Sequence, residues 1–480
     1  MIDSLKPYPA MKDSGVRWLG NMPEHWEVKR GKVLFRCIDV RSSSGDEELL
    51  TVSSERGVVP RSSANVTMFK AASYAGYKLC WPGDLVINSL WAWGRGLGVS
   101  AHHGIVSSAY GVYRLRPPYA NYAAYVHALV RSTPFNWELR LRSKGIWISR
   151  LQLTDEAFLG APFPVPPADE QAAIVRFLNH ADRRIRRYIL AKQKLIKLLE
   201  EQKQAIIHHA VTRGPDPDVR FKPSGVEWLG EVPEHWESWQ VRHFAAVGNG
   251  STPSRGNAAY WSSGAFPWLN SGSVNAGVIT ASDQFVTERA LRECHLPRVS
   301  PGSVLVAITG QGKTRGTAAV LAIEATINQH IAFITPRRSP PTATPEYLRQ
   351  CFVAAYPELR RISDDSGSTK GALTCEDLKH FRVPLPPIDE QNTIVGVAGE
   401  ATANVESGLK AAEREIALLS EYRTRLIADV VTGKLDVREA AVRLPAEVEQ
   451  PEPPGETDSL ADLDEAPAED IEAAPEEAEA

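Results

Sequence analysis

Apolar residues recur at alternating steps of four and three along two long stretches of the chain. In residues 169–211 the seam runs Ile174, Leu178, Ala181, Ile185, Tyr188, Lys192, Leu195, Leu199, Gln202, Ile206, His209. In residues 389–431 it runs Val395, Ala398, Thr402, Val405, Leu409, Ala412, Ile416, Leu419, Arg423, Leu426, Val430. This heptad spacing predicts two long helices, each spanning on the order of 60 Å at about 1.5 Å per residue. Neither stretch contains proline. Lys192, Gln202 and His209 break the first seam, so a self-dimerising zipper is a poor reading. The second helix is the partner at hand. Each helix follows a proline run, PFPVPPADEQ or RVPLPPIDEQ, which gives a stiff extended lead. Asp and Glu then fall in the first turn, where the helix dipole favours them.

The hydrophobic pattern is duplicated elsewhere. KDSGVRWLGNMPEHWE (12–27) and KPSGVEWLGEVPEHWE (222–237) share SGV, WLG and PEHWE at identical spacing. AVTRG after the first helix is answered by VVTGK after the second. A period this long means two tandem units rather than a solenoid. The reading is a lead and first body at 1–160, a first long helix at 161–214, a lead and second body at 215–381, a second long helix at 382–434, and a tail at 435–480. Short strand-like runs (GDLVIN at 83–88, GVYRL at 111–115, SPGSVLVAI at 300–308) mix with helical stretches at 122–142 and 345–362 and with glycine loops. That mixture predicts α+β bodies. Trp18, Trp26, Trp228 and Trp236 in the leads are candidate anchors for the bodies, the helix ends or a protein partner. His25 and His235, set between Glu and Trp, are read as structural polar groups.

Charge changes the picture. The chain carries 54 Lys and Arg against 58 Asp and Glu, a formal net charge of −4. Residues 446–480 hold 14 of the acids and no Lys or Arg, which leaves 54 basic against 44 acidic residues in the rest. A basic body suits a polyanion such as nucleic acid. The Pro-, Ala- and Glu-rich tail has too little apolar surface to offset its ordering entropy and is expected to stay unfolded. No apolar run reaches the roughly 18 residues of a membrane span, and the first residues lack an apolar signal core. Five scattered cysteines without a CxxC pair suggest neither a zinc ribbon nor a disulfide framework, and a reducing cytoplasm fits.

Three motifs hint at catalysis and are better read otherwise. TGQGKT (309–314) has the ending of a phosphate-binding loop. However, Ala307 stands where the first glycine belongs, and the following RGTAAVLAI reads as a strand rather than a helix. RPPY (116–119) resembles the NPPY motif of amino-methyltransferases, but Arg116 replaces the residue that would hold the amino group. PDPDVRFK (215–222) only loosely resembles a nuclease motif and reads as a linker. The polar and aromatic loops of both bodies are the stronger candidates, because Arg can read guanine and Asn or Gln can read adenine in the major groove. From them Arg56, Arg61, Asn88, Arg95, Lys144, Ser251, Thr252, Asn270, Lys313, Arg315, Asn328 and Lys370 are candidate contacts to bases or phosphates.

Taken together, the duplicated SGVxWLGxxPEHWE leads, the duplicated PPxDEQ helices and the second-body GSTP, NQ and SGSTKGAL segments resemble the specificity subunits of type I restriction–modification systems. The resemblance covers roughly residues 12–435. It implies two tandem mixed α/β target-recognition domains separated by two long antiparallel helices, each domain reading half of a bipartite asymmetric site on double-stranded DNA. It implies docking of two methylation subunits, and of restriction–translocase subunits for cleavage. The chain itself would be non-catalytic and hold no cofactor; S-adenosylmethionine, ATP and Mg would belong to the partners. The acidic tail departs from the family pattern.

Overall fold

A computed structural model describes residues 5–64, 73–145, 151–310, 312–365 and 371–445. Two helices dominate, Ala168–Arg213 and Ile388–Val431, of 46 and 44 residues. The chain divides into two compact units, residues 1–190 with 416–480, and residues 191–415. Each unit therefore holds one body, one lead, and parts of both helices.

In unit 1 the body is built on a four-stranded antiparallel sheet. Its spatial order is Phe35–Cys37, Tyr110–Leu115, Leu85–Asn88, Leu97–Val99. Leu85, Val86 and Ile87 are fully buried, as expected of an apolar run at a sheet centre. Unit 2 repeats the order with Ala245–Asn249, Ile331–Pro336, Val304–Ala307, Ala318–Leu321 and adds Val278–Ile279 at the edge. The strand that leaves the sheet ends near a Pro–Pro peptide in both units, Pro117–Pro118 and Pro340–Pro341, both cis. The RPPY segment is thus a turn: the Tyr119 amide donates to Arg116 O at 2.7 Å, and Arg116 Nε donates to Phe35 O at 3.0 Å. TGQGKT joins two adjacent antiparallel strands rather than a strand and a helix, which removes the phosphate-loop reading.

The leads fold alike. Met11–Asp13 pairs with Asn21–Pro23, and Phe221–Pro223 pairs with Glu231–Pro233. The next strand, Glu27–Arg30 or Glu237–Gln240, pairs antiparallel with the proline-rich segment before a long helix, Pro162–Val165 or Arg382–Leu385. Two-stranded ladders tolerate these prolines because an edge position does not need every N–H.

The two helical stretches expected at 122–142 and 345–362 are each broken. Ala123–Val130 and Thr133–Arg142 are separate helices, with Ser132 extended ahead of Pro134. Pro345–Ala354 and Tyr356–Asp365 are likewise separate, with Pro357 in the first turn of the second. Proline has no N–H to bond back to a preceding turn, so it cannot continue the first helix but is tolerated in the first turn of the second.

The helix segments within each unit run antiparallel. In unit 1 Asp182 pairs with Arg423. In unit 2 Lys192 Nζ lies 2.7 Å from Glu415 Oε2 and Lys203 Nζ 2.6 Å from Glu406 Oε1, so eleven residues forward on one helix match nine back on the other. Every seam position expected on the second helix is buried or half-buried. The first helix follows every position of its expected seam to Ile185. Beyond that Lys192, Leu199 and Ile206 of the seam stay half-buried, while Tyr188, Leu195, Gln202 and His209 are exposed and Ile189, Ile196, Lys203, Ile207 and Ala210 face inward instead. The inward positions have drifted to the 3.6-residue repeat of a straight helix.

Unit 1 is closed by the chain's far end. Leu426, Val430 and Val431 join Trp26, Phe163, Ile174 and Leu178 in one core. A short helix, Arg438–Val442, packs there with Val437, Ala441 and Leu444 buried, so residues 435–445 belong to the folded unit rather than to the tail. The acidic segment 446–480 lies outside the described residues.

Candidate nucleic-acid interface

The lead residues are internal. The Trp26 indole is 0% exposed and donates to Glu170 Oε2 at 2.8 Å; His25 Nε2 lies 2.6 Å from Glu170 Oε1. In unit 2 Trp236 is also 0% exposed and donates to Glu390 Oε1 at 3.0 Å, with His235 Nε2 2.9 Å from Oε2. The Glu of each Asp-Glu-Gln start is thus held by the His-Trp pair of the matching lead. A buried indole offers a partner no surface, so the assignment of Trp26 and Trp236 to partner contact is corrected. Trp18 and Trp228 are half-buried: Trp18 meets Phe135 edge-on at 5.4 Å, and Trp228 stacks on Phe381 at 5.6 Å.

The glycine after each helix meets these indoles. A Cβ on Gly214 would lie 3.0 Å from the Trp236 ring, and one on Gly433 3.0 Å from Trp26. Both glycines have positive φ, 71° and 74°, the conformation that ends a helix most cheaply with glycine.

In unit 1 the candidate loops lie at the ends of the sheet strands. Arg56 sits in the turn of the hairpin Leu50–Ser53/Gly57–Pro60, exposed, with its guanidinium on Ser63 O. Asn88 ends a central strand and donates to the Tyr110 hydroxyl at 3.3 Å. Burial raises the Tyr110 phenol's pKa, and the nearby Arg61 charge partly offsets this, so Arg61, Asn88 and Tyr110 form one cluster. Arg95 is exposed at φ 63° after a short turn of helix. Lys144 is exposed on an isolated bridge to Gln152, whose neighbour Leu153 donates its amide to Ser89 O at 2.9 Å.

Under this surface Arg131 donates to four carbonyls: Leu97 O at 2.7 Å, Ser54 O at 2.7 Å, Glu55 O at 2.6 Å and Ser53 O at 3.3 Å. It fixes the Arg56 hairpin against the sheet edge. His127, one turn earlier, accepts the Val99 amide on Nδ1 at 3.2 Å. Burial first, and then the Arg131 charge, push its pKa down from 6.5 to about 4. The folded imidazole stays neutral where a free one protonates. Its stabilisation is therefore complete above pH 6.5 and declines as the pH falls to about 4. We expect the stability difference between wild type and His127→Gln to shrink by about 3 kcal/mol over that range in urea titrations. A pH-independent difference would contradict this assignment.

In unit 2 three expected loops are joined by one hydrogen-bond chain. Thr252 Oγ1 donates to Gln329 Oε1 at 2.5 Å, Gln329 Nε2 lies 3.1 Å from His330 Nε2, and His330 Nδ1 lies 2.5 Å from Thr309 Oγ1. A neutral His330, accepting at Nε2 and donating at Nδ1, satisfies every member. Ser251 lies beside it, its carbonyl accepting the Trp268 indole N–H at 3.3 Å. Asn270 is exposed and accepts the Gly272 amide at 3.0 Å. Lys313 is exposed, 3.5 Å from Glu200. Arg255 stacks over Trp261 at 3.9 Å and Trp268 at 4.9 Å and donates to Gln284 at 2.7 Å. Arg255, Gln329 and His330 belong with the candidates; the sequence pointed to their loops, 250–255 and 328–330, but not to these residues within them. Tryptophans close in sequence to Arg255 were the available signal.

Two expected contacts are corrected. Arg315 is 5% exposed and ion-paired with Asp364, and Asn328 is 5% exposed with its side chain capping the His330 amide at 3.0 Å. Both hold loops in shape from within. Lys370 lies outside the described residues. Among the described residues no group of three or more His, Cys, Asp or Glu is placed to hold a metal, and no helix is long and apolar enough to cross a membrane.

Residues 233–397 match the model of the type I restriction modification DNA specificity domain. A specificity subunit of an Escherichia coli type I restriction enzyme is 22% identical over 206 residues, 42% of this chain and 47% of that protein. One from Methanocaldococcus jannaschii is 28% identical over 187 residues, 38% and 40% of the two chains. The chain thus aligns with about half the length of these curated relatives. A solved structure described as showing "complex assembly and conformational transition of the type I R-M system" has 17% identity and a TM-score of 0.59, covering 85% of this chain and 98% of that one. Residues 233–397 therefore resemble a type I DNA-specificity domain, and the chain's fold is shared with a protein of a type I restriction–modification system. The chain is similar to specificity subunits of such systems.

Proposed function

We propose that the chain is the non-catalytic recognition subunit of a type I restriction–modification complex, with each unit reading one half of a bipartite, asymmetric DNA site. The observation that carries this is repetition with difference. Both units place their loops on the same sheet order, yet an Asn88–Tyr110–Arg61 cluster in one answers a Thr252–Gln329–His330–Thr309 chain in the other. One scaffold with two loop chemistries suits two different half-sites. Two methylation subunits dock on the chain, and restriction–translocase subunits join them for cleavage. S-adenosylmethionine, ATP and Mg act in those partners.

The test is methylation mapping by single-molecule sequencing, in cells expressing the chain with its neighbouring methylation subunit and in cells lacking the chain. The expected result is a bipartite methylated motif that needs the chain. A soluble, partner-bound chain that yields no motif would leave only a scaffold.

A further inference from the structure

We propose that Arg255 of unit 2 reads a guanine base, through a guanidinium fork that two tryptophans and a glutamine hold in one plane. The proposal rests on the reading of the chain as a DNA-recognition subunit and names one of its specificity-determining residues together with the base it takes. The Arg255 guanidinium lies 3.9 Å from the centre of the Trp261 ring and 4.9 Å from that of Trp268. The two indoles meet edge-on, at 81° with centroids 5.3 Å apart. Trp268 is buried and Trp261 packs against the same small core, so the floor under the arginine is fixed. Strand pairing sets Gln284 directly opposite Trp268, and Gln284 Oε1 accepts from Arg255 Nη2 at 2.7 Å.

The same tryptophans pin the loop that leads to the arginine. Trp261 Nε1 donates to Ser254 O at 3.0 Å, and Trp268 Nε1 to Ser251 O at 3.3 Å. Thr252, between these two carbonyls, is bonded to Gln329. Arg255 and the Thr252–Gln329 pair therefore stand on one fastened segment of backbone, with all three side chains exposed. A guanidinium has five N–H donors, and Arg255 gives one of them to Gln284. Bidentate binding needs two hydrogens on one edge, either the pair on Nη1 and Nη2 or the pair on Nε and Nη2. Each Nη2 hydrogen belongs to a different edge, so whichever one Gln284 takes, the other edge stays complete. That edge matches the O6 and N7 acceptors that guanine presents in the major groove. A phosphate is satisfied by a nearby charge on a loose side chain, whereas a base edge needs donors in a set plane and position. Stacking and the Gln284 bond order a long side chain before DNA arrives, which lowers the entropy cost of binding.

The experiment measures binding of the full chain, with its methylation subunit, to duplexes of the mapped target that carry each single base-pair change. The wild type is expected to favour guanine at one position of one half-site. Arg255→Ala and Arg255→Met are each expected to lose that preference, by about tenfold or more, with discrimination at every other position of both half-sites unchanged. Arg255→Met keeps an apolar stem over the tryptophans without any donor, so it separates reading from covering. Equal weakening of every duplex, loss of discrimination across the whole half-site, full discrimination in Arg255→Ala, or its return in Arg255→Met would each overturn the assignment. A wild-type complex that treats all duplexes alike would instead overturn the recognition reading beneath it.

Discussion

Glu170→Ala is expected to destabilise unit 1 by about 3–5 kcal/mol, while Glu390→Ala costs unit 2 about 1–2 kcal/mol. The two glutamates occupy equivalent places in the duplicated pattern but carry unequal loads. Glu170, 4% exposed, accepts from Trp26, from Tyr8 at 3.2 Å and from Arg438 at 3.2 Å, and faces His25. Removing it strands a buried indole N–H and a buried phenol O–H at once and costs Arg438 one of its two carboxylates, the other being Asp436. Glu390 serves only His235 and Trp236, with its side chain 21% exposed, so water can replace it. Urea titrations of the two variants, followed by tryptophan fluorescence, give the comparison. Equal losses would mean that Tyr8 and Arg438 contribute nothing to the Glu170 site.

The second expected result concerns spacing. Under the proposed function the length of the long helices sets the gap between half-sites. Seven residues added to each helix at facing positions, one after Leu198 and one after Ala411, add about 10 Å of helix, or about three base pairs. Methylation mapping should return the same half-sequences with a gap longer by about three. A heptad added to one helix alone keeps the Lys192–Glu415 and Lys203–Glu406 pairs from forming together and should abolish methylation. If the paired insertion left the gap unchanged, the helices would not be the ruler.

Much of this architecture could be read from residue order. The second helix buries the seam its heptads predict, because apolar or small residues occupy nearly every step from Val395 to Val430. The first helix loses every second seam position after Ile185, where apolar neighbours such as Leu195–Ile196 and Ile206–Ile207 make either of two faces available. Only the partner's position chooses between them. The duplicated leads announced Trp26 and Trp236 as a matched pair but not their acceptors, which lie 144 and 154 residues away. The loops show the same limit. Arg315 and Asn328 have the chemistry of readers, and nothing local distinguishes them from Thr252. Arg315 turns inward because of Asp364, 49 residues further on.

The division of the chain has a consequence for its synthesis. Unit 2 is one uninterrupted segment, whereas unit 1 needs residues 416–445 to complete its core. On the ribosome the second unit can therefore finish folding while the first still waits, with Trp26 and the start of the first helix uncovered until the last part of the chain emerges. Premature termination before Ile416 would leave a sound second unit attached to an open, aggregation-prone first one. In the gene, a single cassette encoding 191–415 could be exchanged for another without cutting either core, a route by which one half of a recognition sequence could change while the other is inherited intact.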